Sequence, residues 1–151
     1  MIISKTLLKT ALVVLIVAGG RLGTGDSKSI VWPWPTRDVR CLVDNVYHEA
    51  RGEPVRGQQL VAKVTINRAN LAEETICQTV YKPKQFSWTN QKPKLPDRSS
   101  EAYKTAYYAA YQAINLKYEA TYYHTARVHP RWDRKLVRVA KVGNHIFYKT
   151  V

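Results

Sequence analysis

The chain has 151 residues, enough for one domain with a hydrophobic core and too few for two. Lys and Arg number 24 against 11 Asp and Glu, which gives a formal charge of +13. A surface this basic needs an anionic partner or anionic surroundings, such as nucleic acid, lipid headgroups or cell-wall polymer. The composition therefore excludes a two-domain organisation but does not choose among these partners.

The N-terminus has the pattern of an export signal. Lys5 and Lys9 precede an apolar run over residues 11–20 that ends in two glycines. This run is too short for a membrane span, which needs roughly 20 residues, but it suits the apolar centre of a signal. We predict an export signal over residues 1–20, cleaved or kept as a releasable signal-anchor, and a periplasmic or secreted protein. A buried core helix is the alternative.

Residues 21–35 are predicted to form a linker, because the prolines near its end stop a helix. Thr36 is predicted to cap a first helix, since apolar residues recur at helical spacing from Asp38 to about Arg51, and Gly52 follows. Three more helices are predicted, over residues 56–69, over 73–81, and from a cap at Asp97 or Ser99 to about Leu116.

The rest of the chain reads as loop and extended structure. Residues 82–98 contain three prolines and form a long loop, a feature that is often functional in a compact domain. Residues 120–130 are irregular, a short helix starts near Arg131, and residues 141–148 read as a strand or an extended end. The prediction is a mainly α (α+β) single domain over residues 36–151, with a small extended C-terminal segment.

The two cysteines, Cys41 and Cys77, predict a disulfide, because an exported protein meets an oxidising compartment. The alternative is a catalytic thiol that works with a histidine.

The candidate chemistry centres on two acids at the end of the first predicted helix. Glu49 follows an apolar helix face, and a partly buried Glu has the raised pKa that a general acid needs at neutral pH. It could equally form an ion pair with Arg51 or Arg68. Glu53 lies four residues on, beyond a glycine, and is expected to be structural, either capping the next helix or binding loop amides.

A metal site is the competing interpretation. His48-Glu49 resembles the start of a zinc-protease helix, but Gly52 stands where the second histidine ligand should be. A zinc site built from His124, His129 and His145 is the remaining alternative. The prediction is that the protein has no metal and no cofactor.

Four blocks of sequence, in order, resemble the cell-wall hydrolase family typified by the spore cortex-lytic enzyme SleB. The first block is residues 46–54, Val-Tyr-His-Glu-Ala-Arg-Gly-Glu-Pro, followed by Gly57-Gln58, Val61-Ala62 and Asn67-Arg68. The others are Val80-Tyr81 with residues 85–88, then Tyr123-His124 with Pro130 and Trp132, and finally residues 142–148. The resemblance runs from about Cys41 to Tyr148.

This resemblance implies a lysozyme-like domain that cleaves the MurNAc–GlcNAc bond of peptidoglycan as a lytic transglycosylase. Glu49 matches the first Glu of the family's motif and would be its catalytic acid and base. The residues expected to bind the glycan are Gln85, Phe86, Trp88, Tyr123, His124, Asn144 and His145. The chain shows no separate peptidoglycan-binding repeat, so it looks more like a phage endolysin or a small periplasmic wall hydrolase than a sporulation enzyme.

Other functions remain open at this point. A hydrolytic muramidase would use water in place of the sugar's own hydroxyl group. A non-enzymatic basic protein would act in lysis or bind nucleic acid, although the export signal and the cysteine pair disfavour nucleic acid. The expected partners are peptidoglycan and, transiently, the inner membrane through the N-terminus, and the expected state is a monomer.

Overall fold

The computed structural model describes residues 33–151. The predicted export signal at residues 1–20, and all of the predicted linker except residues 33–35, lie outside the described residues. Four helices occupy the first part: α1 (Thr36–Ala50), α2 (Val55–Ala72), α3 (Ile76–Tyr81) and α4 (Glu101–Ala113). Within residues 33–151, no helix combines the length and the apolar character that crossing a membrane requires.

Several helices begin at other residues than predicted, because the capping residues differ from the predicted ones. Pro35 precedes α1, and Thr36 is its first helical residue, so Thr36 is not the cap. Glu73 adopts a left-handed conformation (φ 54°) that ends α2, so α3 begins only after Thr75. Thr75 forms a capping box, in which its hydroxyl oxygen accepts a hydrogen bond from the backbone of the third helical residue. The cap of α4 is Ser100, next to the predicted cap at Ser99.

Three antiparallel strands follow the helices: β1 (Tyr122–Thr125), β2 (Val137–Val142) and β3 (His145–Lys149), in the order β1-β3-β2. Gly143 and Asn144 form the two-residue turn between β2 and β3, and the left-handed φ of Gly143 (57°) suits such a turn. The stretch predicted to be irregular thus contains a strand. The helix predicted near Arg131 is reduced to a single 3₁₀ turn, Asp133–Lys135.

The core lies between the helices and one face of this sheet. Leu42, Val46, Leu60 and Phe147 are almost completely buried there. A disulfide between Cys41 and Cys77 ties α1 to α3, as predicted, so neither cysteine is a free thiol. The predicted mainly helical α+β fold, with its extended C-terminal segment, is confirmed.

Candidate active site

An open groove of about 530 Å³ runs between the C-terminal end of α1, the 82–98 loop and strand β1. Glu49 lines it together with six of the seven residues expected to bind glycan: Gln85, Phe86, Trp88, Tyr123, His124 and His145. Of the groove-lining residues between 33 and 151, Glu49 is the only one with a carboxyl group. The structure therefore brings one acid and several aromatic and polar side chains into one cleft.

Glu49 is the second-last residue of α1, and its side chain is half-buried. Burial raises the pKa of its carboxyl group above the usual value. The Tyr123 hydroxyl, which donates a hydrogen bond to Glu49 Oε2 at 2.8 Å, and the charge of Arg68 oppose this rise in pKa without cancelling it. Glu49 therefore keeps its proton to a higher pH than a free glutamic acid.

The two arginines considered as ion-pair partners of Glu49 make other contacts. Arg68 donates from Nε to the Thr121 carbonyl oxygen at 2.6 Å and from Nη1 to Gln85 Oε1 at 3.4 Å. Arg51 lies over the ring of Tyr47, 4.9 Å from its centroid. Arg68 thus acts on Glu49 electrostatically, while its hydrogen bonds fix the loop and β1 around the groove.

Trp88 forms one wall of the groove and is held there by a buried polar chain. Its indole N–H donates to Asn45 Oδ1 at 2.8 Å, and Asn45 in turn donates to Thr65 Oγ1 at 3.0 Å. The Trp88 ring stacks on His48 at 4.3 Å. Burial, aided by the charge of Arg51, lowers the pKa of His48, so the stacked imidazole is neutral at neutral pH.

Two histidines of the sheet border the groove, His145 on the face that carries Tyr123 and His124 on the opposite face, beside Tyr148 and Trp132. His124 Nδ1 lies 2.8 Å from the Thr125 carbonyl oxygen, which can only accept, so Nδ1 carries a proton, and Nε2 lies 2.9 Å from the Tyr148 hydroxyl oxygen. His145 is buried, and its ring meets the Tyr123 ring edge-on at 5.2 Å. Burial lowers the pKa of His145, so this ring is also neutral at neutral pH.

Asn144, the seventh expected glycan ligand, lies at the hairpin turn and binds Glu53. Its backbone N–H donates to Glu53 Oε2 and its side-chain amide to Oε1, both at 2.9 Å. Partial burial works to raise the pKa of Glu53, but the bonds from Asn144 outweigh it and hold the pKa below the usual value. Glu53 thereby joins the turn after α1 to the turn between β2 and β3. Contact between Asn144 and substrate stays a prediction.

Residues 52–148 match the sequence profile of the cell wall hydrolase family. The chain belongs to this family. The match begins at Gly52, just after Glu49, and takes in the loop, both hairpin strands and most of the groove.

Relatives and solved structures of cell wall hydrolases agree with this assignment. The spore cortex-lytic enzyme of Oceanobacillus iheyensis is 28% identical over 137 residues, which are 83% of this chain and 47% of that protein. The Bacillus subtilis enzyme of the same name is 31% identical over 115 residues, or 73% of this chain and 37% of its own length. The chain thus spans less than half the length of these relatives.

Two solved catalytic domains are similar over nearly their whole length. The SleB catalytic domain of Bacillus cereus aligns with a TM-score of 0.63 at 27% identity, covering 83% of this chain and all of that domain. The catalytic domain of the germination-specific lytic transglycosylase SleB from Bacillus anthracis aligns with a TM-score of 0.64 at 30% identity, covering 78% and 98%.

Sequence reasoning left several groove residues of this cell wall hydrolase unassigned. They are His48, Arg68, Lys84, Ser87, Gln91, Thr125 and Val128. Three of them lie in the 82–98 loop, whose length had already marked it as functional, and His48 and Arg68 lie within the motif blocks. For the zinc alternative, no three potential ligands among His, Cys, Asp and Glu converge anywhere in residues 33–151.

Proposed function

We propose that this cell wall hydrolase is a lytic transglycosylase that cleaves the MurNAc–GlcNAc bond of peptidoglycan, with Glu49 as its acid and base. The observation that carries the proposal is a single groove carboxyl group with a raised pKa. Glycosidases that use water depend on a pair of carboxyl groups, whereas a transglycosylase needs one. The similarity to the SleB lytic transglycosylase domain of Bacillus anthracis supports the same reaction.

In the first step, protonated Glu49 gives its proton to the glycosidic oxygen, and the bond from that oxygen to C1 of MurNAc breaks. The C1 centre becomes cationic, and Glu49 is left as a carboxylate. The hydrogen bond from Tyr123 stabilises this new charge, because bonds to an ionised acceptor are about twice as strong as neutral ones.

In the second step, the C6 hydroxyl group of the same MurNAc attacks C1, and Glu49 takes the proton that the hydroxyl loses. The product is an anhydro sugar end, and Glu49 is again protonated. No water is consumed, and the enzyme returns to its starting protonation state.

The walls of the groove suit a glycan. The partly exposed Trp88 offers an aromatic surface on which a sugar ring can stack, since its position is fixed by Asn45 and His48. Phe86 is only 3% exposed, so it supports the floor of the groove more than it presents a stacking face. Lys84 and Arg68 give the groove a positive potential that complements the carboxylates of peptidoglycan stem peptides.

The biological role that we propose is lysis of a host cell by an exported endolysin, acting as a monomer in the periplasm. The basic composition and the signal pattern of residues 1–20 support this role. Transient contact with the inner membrane through that segment belongs to the same proposal.

The test compares clearing of purified sacculi by the wild-type protein and by Glu49→Gln. The variant cannot donate a proton, so we expect its rate to fall by about 100- to 10,000-fold with its circular dichroism unchanged. Glu101→Gln, which alters an exposed acid that does not line the groove, is the matched control and should clear at the wild-type rate. If Glu49→Gln clears sacculi as fast as wild type, the mechanism is wrong.

Mass spectrometry of the products decides between the two kinds of glycosidase. A transglycosylase leaves anhydro ends that are one water lighter than the ends left by hydrolysis. Hydrated reducing ends would assign the hydrolytic muramidase reaction.

A further inference from the structure

The segment between β1 and the end of β2 carries an unusual excess of positive charge. Six exposed cations lie in it: Arg127, Arg131, Arg134, Lys135, Arg138 and Lys141. The one acid of the segment, Asp133, faces His124, with its Oδ2 3.8 Å from Nε2. Among residues 33–151, none of the six cations forms an ion pair with a carboxylate. This charge is therefore available to a partner.

Strand register places part of this charge on the face of the sheet that points away from the helices. Tyr148 pairs with Tyr122 on one side and with Arg138 on the other, so these three side chains share a face. Trp132 packs across the same face, with its ring 5.5 Å from Tyr122 and 5.8 Å from Tyr148. We call this surface, together with the loop over residues 126–136, the outer face.

Apolar side chains are exposed among these cations. Trp132 is 36% exposed, and Val139, at the irregularity of β2, is 38% exposed, whereas Val137 pairs with Lys149 and therefore lies on the other face from Arg138. A soluble polyanion would need only the charges, whereas a bilayer surface offers phosphate groups to arginine and an apolar layer just beneath them. Arginine binds phosphate through two parallel hydrogen bonds, and tryptophan prefers the depth of the headgroups.

We propose that the outer face docks onto an anionic phospholipid surface. The arginines bind lipid phosphates, while Trp132 enters the headgroup layer. Tyr123, the next residue of β1, points to the opposite face of the sheet and reaches Glu49. Opposite sides of one strand thus serve the membrane and the groove, and a docked molecule keeps Glu49 directed away from the lipid.

The proposal is tested by sedimentation of the full chain with vesicles. Wild type should bind vesicles of phosphatidylglycerol and phosphatidylcholine, and bind pure phosphatidylcholine far more weakly. The double variant Arg131→Gln/Arg138→Gln should partition roughly 25-fold more weakly onto anionic vesicles, because each basic residue near such a surface contributes a factor of about five. Its matched control, Arg37→Gln/Lys117→Gln, removes the same charge from exposed sites elsewhere and should bind nearly as wild type.

The apolar N-terminal run is common to all these proteins, so it cannot account for a difference between the two double variants. Equal binding by both variants, whether weakened or not, would overturn the proposal. A second result would also overturn it: Arg131→Gln/Arg138→Gln loses binding to purified sacculi while its binding to vesicles is unchanged. The outer face would then bind a wall polymer. Sacculus clearing by the same variant should stay at the wild-type rate, since neither arginine lines the groove.

Discussion

Gly143 and Glu53 are in such close contact that a methyl group on the glycine would overlap the carboxylate. A Cβ at Gly143 would collide with Glu53 Oε2 and would lie 2.9 Å from Cδ of Pro54. Gly143 also has a left-handed φ of 57°. Gly143→Ala therefore strains the backbone and displaces the carboxylate from its two hydrogen bonds with Asn144.

The magnitudes follow from these two effects. The left-handed backbone costs alanine about 1–2 kcal/mol relative to glycine. The hydrogen bonds between Glu53 and Asn144 contribute about 1 kcal/mol each, after allowance for solvent screening at this exposed site. We therefore expect Glu53→Ala to lower the free energy of unfolding by about 2 kcal/mol and Gly143→Ala by about 3–4 kcal/mol.

The double variant should be no less stable than Gly143→Ala alone, because the hydrogen bonds can be lost only once. The coupling between the two substitutions is then about 2 kcal/mol. The assay is urea denaturation followed by far-ultraviolet circular dichroism on the wild type, both single variants and the double variant.

Gly52 supplies the control. Its φ is also positive, at 88°, but a Cβ there would meet no atom within 4 Å. Gly52→Ala should show only the backbone cost, and its effect should add to that of Glu53→Ala. If the effects of Gly143→Ala and Glu53→Ala also add, the carboxylate does not fix the hairpin turn.

Three further predictions concern the groove and the disulfide. Tyr123→Phe removes a hydrogen bond that favours the Glu49 carboxylate, so the pKa of Glu49 rises further. The protonated acid is lost as pH rises through this pKa, so the alkaline limb of the pH profile of sacculus clearing should move to higher pH. A move to lower pH would contradict the role of Glu49 as the acid. Trp88→Leu should raise KM for glycan fragments with a smaller effect on kcat, and an unchanged KM would remove Trp88 from the binding surface. Replacing Cys41 and Cys77 by Ser should lower the free energy of unfolding by roughly 3–4 kcal/mol, because the disulfide closes a loop with a sequence separation of 36. Urea titrations measure this change, and equal stability of the reduced and the oxidised wild type would contradict it.

Helices were predictable from sequence because their signal is local. Apolar residues at helical spacing indicate one buried face of a helix, and α1 and α2 lie where this spacing predicts them. The starts of α3 and α4 were misplaced because several neighbouring residues were able to act as caps. Strand β1 was missed because its four residues pair with residues of β3 that lie 20 to 26 positions away, and no local pattern indicates that pairing.

The sequence by itself determined the family resemblance and the disulfide partners, and it predicted Glu49 as the catalytic acid, since each rests on residue types in a short or ordered pattern. Tertiary structure alone decided the surroundings of that carboxyl group. Tyr123 reaches Glu49 across 74 positions of the chain, and Asn144 reaches Glu53 across 91. Both contacts exist only because the three-stranded sheet lies against the end of α1. The physical reason is that burial and long-range hydrogen bonds set the pKa of a carboxyl group, and neither is encoded in the residues beside it.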